Sequence, residues 1–154
     1  MNTLQEGVKA PDFTGINHEG KEISLHQFKG KKIILYFYPK DNTPGCTAEA
    51  CNLNDNIAVL TQKGFVVIGI SPDSPESHQK FIAKFNLQFQ LIADPTKSIL
   101  TLYDAYGEKI MYGKSVIGVL RKTYIIDEEG IINKIIKKVD TKNHTQQILK
   151  YLEQ

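Results

Sequence analysis

The sequence predicts an α/β protein with a central mixed sheet flanked by helices. Two short apolar runs, 33–39 and 65–71, are rich in β-branched and aromatic residues and are typical of buried strands. A helical pattern at 44–63 separates them, and strands that alternate with helices usually pair in parallel with helices on both faces. Two further strand-like runs within 122–139 flank a turn at 128–130, which predicts an antiparallel hairpin and makes the sheet mixed.

The N-terminal region predicts a small hairpin over residues 12–25, which turns at Glu19 and Gly20. The helix at 44–63 carries most of its apolar residues on one side, as expected for a helix that packs against a sheet. Gly64 follows it at the position where helices commonly end, because glycine adopts the left-handed conformation there without strain.

The next helix is predicted to begin at Ser74, since serine is a favoured N-cap and Pro75 suits the first helical position. Phe81, Ile82 and Phe85 are expected to face inward from this helix. Three further elements are predicted from composition and periodicity: a strand at 91–94, a helix at 95–107 closed by Gly107, and a final helix at 143–154.

Length and charge restrict the class of protein. The chain has 154 residues, which predicts one domain over 1–154 with a core large enough to fold without disulfide bonds or a structural metal. The net charge is +2 and the lysines are dispersed, so no nucleic-acid partner is expected. The polar N-terminus lacks a signal-peptide pattern, and the apolar runs are too short to cross a bilayer. The cytoplasm is therefore the expected compartment, where a close cysteine pair is more often catalytic or metal-binding than structural.

Both cysteines lie in the segment YFYPKDNTPGCTAEAC (36–51), directly after a predicted strand. Thr43 is a suitable N-cap and Pro44 a suitable first helical residue, which places Cys46 in the first turn. The free N–H groups and the positive end of the helix dipole favour an anion there. The thiolate of Cys46, which is the nucleophilic form of a thiol, is therefore favoured.

Cys51 lies five residues further along the same predicted helix. Helix geometry puts the two Cα atoms roughly 8–9 Å apart, whereas a disulfide bond requires them within about 7 Å. The two thiols therefore cannot bond while the helix is wound. If they do bond, the first turns must unwind, which makes the pair a candidate redox switch.

Two simpler interpretations of the cysteines compete with catalysis. Cysteine often only fills space in a core, and Cys51 alone would fit that role. Pro44 and Gly45 are poor choices for packing, so Cys46 fits it less well. A metal site needs about four ligands, and the histidines have no ligand spacing to either cysteine, so no metal is predicted: His18, His26, His78 and His144. The absence of a CxxC motif disfavours a disulfide reductase.

The segment 36–51 resembles the active-site segment of the peroxiredoxins, in particular the bacterioferritin-comigratory-protein (PrxQ) subfamily. The family pattern is a proline, three residues, a threonine, two residues and the attacking cysteine, and Pro39, Thr43 and Cys46 meet it. The second cysteine of the subfamily, five residues on, matches Cys51. Further segments also agree, so that the resemblance covers nearly the whole chain: APDF (10–13), GISPDSPESHQKF (69–81), LIADP (91–95), YGEK (106–109) and VLRKTYIID (119–127).

The resemblance implies a thioredoxin-like fold with an added N-terminal hairpin and a complete reaction cycle. Cys46 would attack the O–O bond of hydrogen peroxide or a small organic hydroperoxide and become a sulfenic acid. Cys51 would condense with it to an intramolecular disulfide, which a thioredoxin-type donor reduces. No metal, haem or flavin is needed, and a monomer is the simpler expectation because both thiols lie in one chain.

The resemblance also assigns roles to three residues around the thiol. Arg121 would stabilise both the thiolate and the departing oxygen, although an arginine before a strand is ordinarily a solvated surface charge. The Thr43 hydroxyl would bond the peroxide, cap the helix, or do both. Pro39 would shield the thiolate from water, or simply end the strand.

Three charged neighbours are less specific. Glu49 lies one turn after Cys46, where an exposed glutamate is the default expectation and a role in orienting Arg121 is the alternative. Lys40 and Asp41 are expected to be solvated loop residues.

Two other functions use the same features. A redox sensor or holdase would use the disulfide to expose apolar surface to a partner. A thiol-disulfide oxidoreductase would share the fold, but the spacing of threonine to cysteine and the missing CxxC argue against it. Repeated peroxide turnover with thioredoxin separates the first from a peroxidase, and insulin reduction tests the second.

Overall fold

The computed structural model describes residues 4–153. Its strands are β1 Thr14–Asn17, β2 Glu22–Ser24, β3 Lys32–Phe37, β4 Phe65–Ser71, β5 Gln90–Ala93, β6 Tyr106–Met111, β7 Lys114–Val119, β8 Lys122–Ile126 and β9 Ile132–Ile136. Its helices are α1 Pro44–Asp55, α2 Ile57–Gln62, α3 Pro75–Phe85, α4 Ser98–Leu102 and α5 His144–Leu152, with a 3₁₀ turn at Leu25–Phe28.

Seven of these strands form one mixed sheet in the order β2-β1-β5-β4-β3-β8-β9. β3, β4 and β5 are parallel, whereas β8 and β9 are antiparallel to their neighbours. The N-terminal hairpin extends the sheet because β1 pairs with β5. The predicted mixed α/β architecture with an added N-terminal hairpin is confirmed.

The alternation of side chains along β3 builds a core on each face of this sheet. Ile33, Leu35 and Phe37 join one apolar cluster, together with residues of α4 and the N-terminal segment. Ile34 and Tyr36 point to the opposite cluster, which contains residues of α1, α2, α3 and α5. A strand that is buried on both faces has a continuous apolar sequence, which is why 33–39 carries no polar alternation.

Several local predictions are confirmed by the backbone. β4 occupies 65–71 as predicted, and the Ser74 side chain accepts a hydrogen bond from the Ser77 N–H at 3.1 Å as the N-cap of α3. Gly20, Gly64 and Gly130 all have positive φ, at 79°, 90° and 84°, at the predicted turns and helix end. Glycine is favoured at each because this conformation strains residues that carry a Cβ.

Two predicted helices differ from the structure. The helix expected at 44–63 is interrupted at Asn56, whose side-chain amide donates to the Asn52 carbonyl at 2.8 Å and competes with the backbone ladder. The prediction of a helix at 95–107 is wrong for its second half. α4 ends at Leu102, Asp104 turns the chain with φ 56°, and Gly107 lies within β6.

The region after Asp104 forms a separate hairpin of β6 and β7, which the sequence did not predict. Its tip is unusually apolar for an exposed turn, with Tyr112 97% and Ile110 72% exposed. In the part of the chain that the structure describes, no helix has the length and apolar character needed to cross a membrane.

Candidate active site

Cys46 lies at the head of α1. Thr43 occupies the N-cap position with extended backbone angles (φ −97°, ψ 157°), and Pro44 is the first helical residue, as predicted. The side chain of Cys46 is only 1% exposed. First-turn N–H groups and the helix dipole favour negative charge at this position, so the local fold suits a sulfur anion.

Arg121 reaches this sulfur from a distant part of the sequence. β3 and β8 are antiparallel with Phe37 opposite Lys122, so the residue before β8 lies where β3 leads the chain toward α1. The Nη2 atom of Arg121 donates to the Sγ atom of Cys46 at 3.4 Å. Gly45 leaves room for the guanidinium, because a Cβ there would lie 3.3 Å from Nη2.

Glu49 holds the other side of the same guanidinium. Its Oε1 accepts from Arg121 Nη1 at 2.8 Å, and its side chain is fully buried. Burial raises the pKa of Glu49 to about 7, even though the charge and hydrogen bond of Arg121 act in the opposite direction. The expectation of an exposed glutamate is therefore wrong, whereas its contact with Arg121 fits the alternative of orienting that residue.

Arg121 thus carries a cation between two acidic groups. Partial burial by itself lowers the pKa of Arg121, but the negative charges of Cys46 and Glu49 raise it above its ordinary value. Its side chain is 24% exposed, so a small molecule that approaches the sulfur can also reach the guanidinium. The expectation of a solvated surface arginine is wrong.

Thr43 and Pro39 lie on the loop between β3 and α1. The Thr43 hydroxyl makes no capping bond and instead donates to the Lys40 carbonyl at 2.8 Å, so Thr43 is the N-cap by position only. Because that bond uses the hydroxyl hydrogen, the lone pairs of Oγ1 are free to accept from a ligand. Pro39 is half-buried, two residues beyond β3.

Cys51 lies on the same continuous helix and is not joined to Cys46, since both thiols are free. It is half-buried, and burial together with the negative charge of Asp55 raises the pKa of the Cys51 thiol. Cys51 therefore holds its proton more firmly than an ordinary thiol. Along a wound helix, residues five apart have Cα atoms beyond the reach of a disulfide bond.

Asp41 is buried, so the prediction that it is a solvated loop residue is wrong. One carboxylate oxygen, Oδ1, accepts from the Tyr38 hydroxyl at 2.6 Å, and Oδ2 accepts from the Ser77 hydroxyl at 2.8 Å. The same Oδ2 lies 2.7 Å from His78 Nδ1. Lys40 is exposed as predicted. Asp41 therefore ties the loop before α1 to α3.

His78 completes this buried cluster and fixes the position of a proton. Its Nε2 faces the Ile92 carbonyl at 3.1 Å and must donate, while its Nδ1 faces the Asp41 carboxylate. A proton therefore lies between Nδ1 and Oδ2. Ligand atoms of Asp41, Asp73 and His78 lie within 4.8 Å of one another. Each of these residues already has hydrogen-bond partners. We call this hydrogen-bonded cluster of Asp41, Asp73 and His78 the polar brace.

His144 is a further residue near the site, and its sequence position did not indicate this. It begins α5, is completely buried, and places Nε2 3.5 Å from Glu49 Oε2. His144 stands in no recognisable motif, and His78 lies in the segment 69–81 that carries the family resemblance but received no role there. The available signal was a single histidine at or near the start of each predicted helix, which is too common to identify a site.

Several known proteins resemble the chain over almost all of its length. Residues 7–135 match the AhpC/TSA family. The bcp protein of Helicobacter pylori is 45% identical over 152 residues, which cover 99% of this chain and 100% of that protein. The peroxiredoxin Bcp of Bacillus subtilis is 42% identical over 151 residues, which cover 98% of this chain and 96% of that protein.

Solved structures agree with these relatives. A bacterioferritin comigratory protein of Xanthomonas campestris, studied for its alkyl peroxide reduction activity, superposes with a TM-score of 0.85 at 33% identity, and the match covers 92% of this chain and 90% of that one. A mutant of PrxQ from Xylella fastidiosa gives a TM-score of 0.90 at 29% identity, with 99% and 98% covered.

Proposed function

The chain belongs to the AhpC/TSA family, as a peroxiredoxin of the bacterioferritin-comigratory-protein (PrxQ) subfamily, and we propose that Cys46 is the thiol with which it reduces peroxides. The protein is a thiol-dependent peroxidase with a thioredoxin-like fold. The proposal rests above all on the 3.4 Å contact between the Cys46 sulfur and Arg121 Nη2 at the head of α1.

In the proposed first step the Cys46 thiolate attacks the terminal oxygen of a hydroperoxide, R–O–O–H. The S–O bond forms as the O–O bond breaks, which leaves Cys46 as a sulfenic acid and releases R–O⁻. That anion takes a proton from solvent and leaves as an alcohol, or as water when the substrate is hydrogen peroxide. Sulfur is oxidised and the peroxide oxygens are reduced, so the electrons balance.

Arg121 and Thr43 are proposed to bind the peroxide during this step. Arg121 is a fixed cation next to the sulfur, and an N–H donor that is already in place stabilises charge developing on the departing oxygen at little reorganisation cost. The Thr43 hydroxyl, whose hydrogen is used by Lys40, would accept the O–H of the substrate. Pro39 would limit the access of water to the sulfur.

In the proposed second step the Cys51 thiol condenses with the Cys46 sulfenic acid. The disulfide bond forms, and the sulfenic oxygen leaves as water with the thiol proton. Because both residues lie on wound α1, the first turns must open before the sulfurs can meet. A thioredoxin-type dithiol would then reduce the disulfide, in the cytoplasm and with the enzyme as a monomer of one domain.

Mass spectrometry after one equivalent of hydrogen peroxide tests the scheme. We expect the intact mass to fall by the mass of two hydrogens. Peptide mapping should show a disulfide bond between Cys46 and Cys51 of the same chain. Cys46→Ser should abolish peroxide consumption. Full activity of that variant, or a link between two chains in place of the internal one, would contradict the proposal.

A further inference from the structure

One oxygen of the buried Glu49 carboxyl has no hydrogen-bond partner within residues 4–153. Oε1 accepts from Arg121 Nη1 at 2.8 Å, but no donor satisfies Oε2. His144 Nε2 lies 3.5 Å from this oxygen. A buried polar atom without a partner is costly, so the protonation of the two residues must account for this contact.

The surroundings of His144 determine which ring nitrogen carries hydrogen. Gln147 donates from its Nε2 to the Lys138 carbonyl at 2.7 Å, and its Oε1 accepts from the Asp140 N–H at 2.9 Å. That same Oε1 lies 2.9 Å from His144 Nδ1. Nδ1 must therefore be the donor in this pair.

His144 is neutral under ordinary conditions. Burial lowers the pKa of His144 to about 4, with the charge of Arg121 acting in the same direction and Gln147 and Asp140 opposing it. Since Nδ1 holds the one hydrogen of the neutral ring, Nε2 is an acceptor. It takes a hydrogen bond from the Thr123 hydroxyl at 2.8 Å. A salt bridge between a cationic His144 and Glu49 is therefore not the interaction present at neutral pH.

Two acceptors, Nε2 of His144 and Oε2 of Glu49, would face each other if Glu49 were ionised. A proton on Oε2 removes this conflict, because the acid can then point toward Nε2, whose lone pair it shares with the closer Thr123 hydroxyl, while Oε1 still accepts from Arg121. We propose that His144 is a positioning residue for peroxide reduction, whose Nε2 holds Glu49 as the neutral acid so that the charge of Arg121 is directed to the Cys46 sulfur. The inference rests on the proposed role of Cys46 as the attacking thiolate.

The other titratable groups around Glu49 are consistent with this arrangement. Arg121, the residue before β8, contacts both Glu49 and Cys46, which lies one turn earlier on α1. Tyr36 faces it from β3, and burial, the largest cause, raises the pKa of Tyr36 well above its ordinary value, so that it is neutral. The raised pKa of Glu49, about 7, agrees with a carboxyl that is protonated below neutrality.

Ionisation of Glu49 would therefore weaken the site at higher pH. A carboxylate next to Arg121 competes with the sulfur for the guanidinium and repels negative charge that develops on the substrate. The rate of Cys46 oxidation, corrected for the fraction of thiolate, should fall severalfold as the pH rises through the Glu49 pKa. The midpoint of this fall is the pH step. Loss of the Nε2 acceptor would destabilise the neutral acid and move this step to lower pH by about half to one pH unit.

Spectroscopy of the reduced protein tests the protonation states without any turnover. Nitrogen NMR of the imidazole rings should show His144 neutral with hydrogen on Nδ1. Infrared difference spectra between wild type and Glu49→Gln should contain the band of a protonated carboxyl at slightly acid pH. A cationic His144, or an ionised Glu49 at that pH, would overturn the inference.

Kinetics then separate a positioning role from a purely structural one. The rate of the first oxidation should be measured against pH in wild type, His144→Leu and His144→Gln, with the exposed His26→Leu as the control. We expect the pH at which the rate falls to be lower in His144→Leu than in wild type. In His144→Gln, whose amide restores a polar partner, this pH should return toward the wild-type value. In Glu49→Gln the fall in rate should be absent. A step that stays in place would overturn the positioning role, and one that moves up would indicate a cationic His144 instead.

The two proposals fail in different ways. If His144→Leu does not fold, His144→Gln and the wild-type spectra still decide. If Cys46 were not the attacking thiol, the Cys46→Ser protein would keep its peroxidase activity, whereas the spectra of Glu49 and His144 would be unaffected.

Discussion

The Nη2 atom of Arg121 lies 3.4 Å from the sulfur of Cys46, although the two residues are 75 positions apart in the sequence. The antiparallel pairing of β3 with β8 creates this contact, because it sets the start of β8 beside the loop that leads into α1. A helix terminus and a fixed cation therefore act on the same sulfur from two independent elements.

Removal of the cation tests how much of the catalysis it supplies. We expect Arg121→Met to lower the second-order rate constant for hydrogen peroxide by about 10²–10³-fold, as is typical when one donor to a developing anion is lost. A competition assay against a second peroxidase measures this rate. Lys122→Met is the matched control, since it removes a positive charge one residue away. Equal losses in the two variants would point to overall charge as the cause.

Cys51→Ser separates the two chemical steps. The variant should consume one equivalent of peroxide at nearly the wild-type rate and then stop when thioredoxin is the only reductant. Its Cys46 should accumulate as a sulfenic acid, which a trapping reagent detects by mass. Sustained turnover with thioredoxin would mean that the reductant acts directly on the Cys46 sulfenic acid and that Cys51 is not needed.

The tether of α1 to α5 should control how fast the disulfide forms. Asn52, next to Cys51, donates to the Lys142 carbonyl at 3.0 Å and accepts from the Thr145 N–H at 2.7 Å. Asn52→Ala loses both bonds, which costs about 1–2 kcal/mol and makes unwinding easier. We expect disulfide formation to become up to about thirtyfold faster, while the attack on peroxide changes little.

Asn54→Ala is the matched control for that experiment. Asn54 also anchors α1, through bonds to the Asn86 carbonyl at 3.0 Å and from the Gln88 N–H at 2.7 Å. It lies three residues beyond Cys51, whereas Asn52 is adjacent to Cys51, so unwinding that reaches Cys51 should leave the Asn54 contacts in place. Rapid-quench mass spectrometry measures the disulfide step, and equal acceleration in both variants would mean that the whole helix must detach.

The sequence predicted the parts of this site that depend on local order in the chain. Thr43, Pro44 and Cys46 are neighbours, so their spacing alone places the thiol at a helix terminus. Arg121 was identified only through the family resemblance. The burial of Asp41, Glu49 and His144 was not predicted, because it arises from packing between distant elements. A polar residue has the same local sequence signal whether tertiary contacts bury it or leave it in water.

The Asp41–His78 pair should contribute strongly to stability. Both side chains are buried and hydrogen-bonded, and removal of His78 leaves the buried Asp41 carboxylate with the hydroxyl donors of Tyr38 and Ser77 but without its nitrogen partner. We expect His78→Leu to lower the free energy of unfolding by about 3–5 kcal/mol, measured by denaturant titration. Glu76→Gln, an exposed change on the same helix, should have little effect. A small loss in His78→Leu would mean that the brace is replaced by apolar packing.

Glu49 and His144 should give opposite pH trends in stability. The folded pKa of Glu49, about 7, is raised from 4.5, so the stability that it contributes is present below 4.5 and is lost as pH rises toward 7. The folded pKa of His144, about 4, is lowered from 6.5, so its contribution is present above 6.5 and is lost as pH falls toward 4. The two trends partly cancel in the wild-type protein.

Single variants should reveal each trend. Relative to wild type, Glu49→Gln should gain stability as pH rises between these limits, by on the order of 3 kcal/mol, and His144→Leu should gain as pH falls, by a similar amount. Denaturant unfolding at a series of pH values measures both differences, and the comparison with wild type cancels the titration of the other carboxyls. If the Glu49→Gln difference did not change with pH, Glu49 would have an ordinary pKa in the folded state, and the carboxyl beside Arg121 would be ionised throughout the working range.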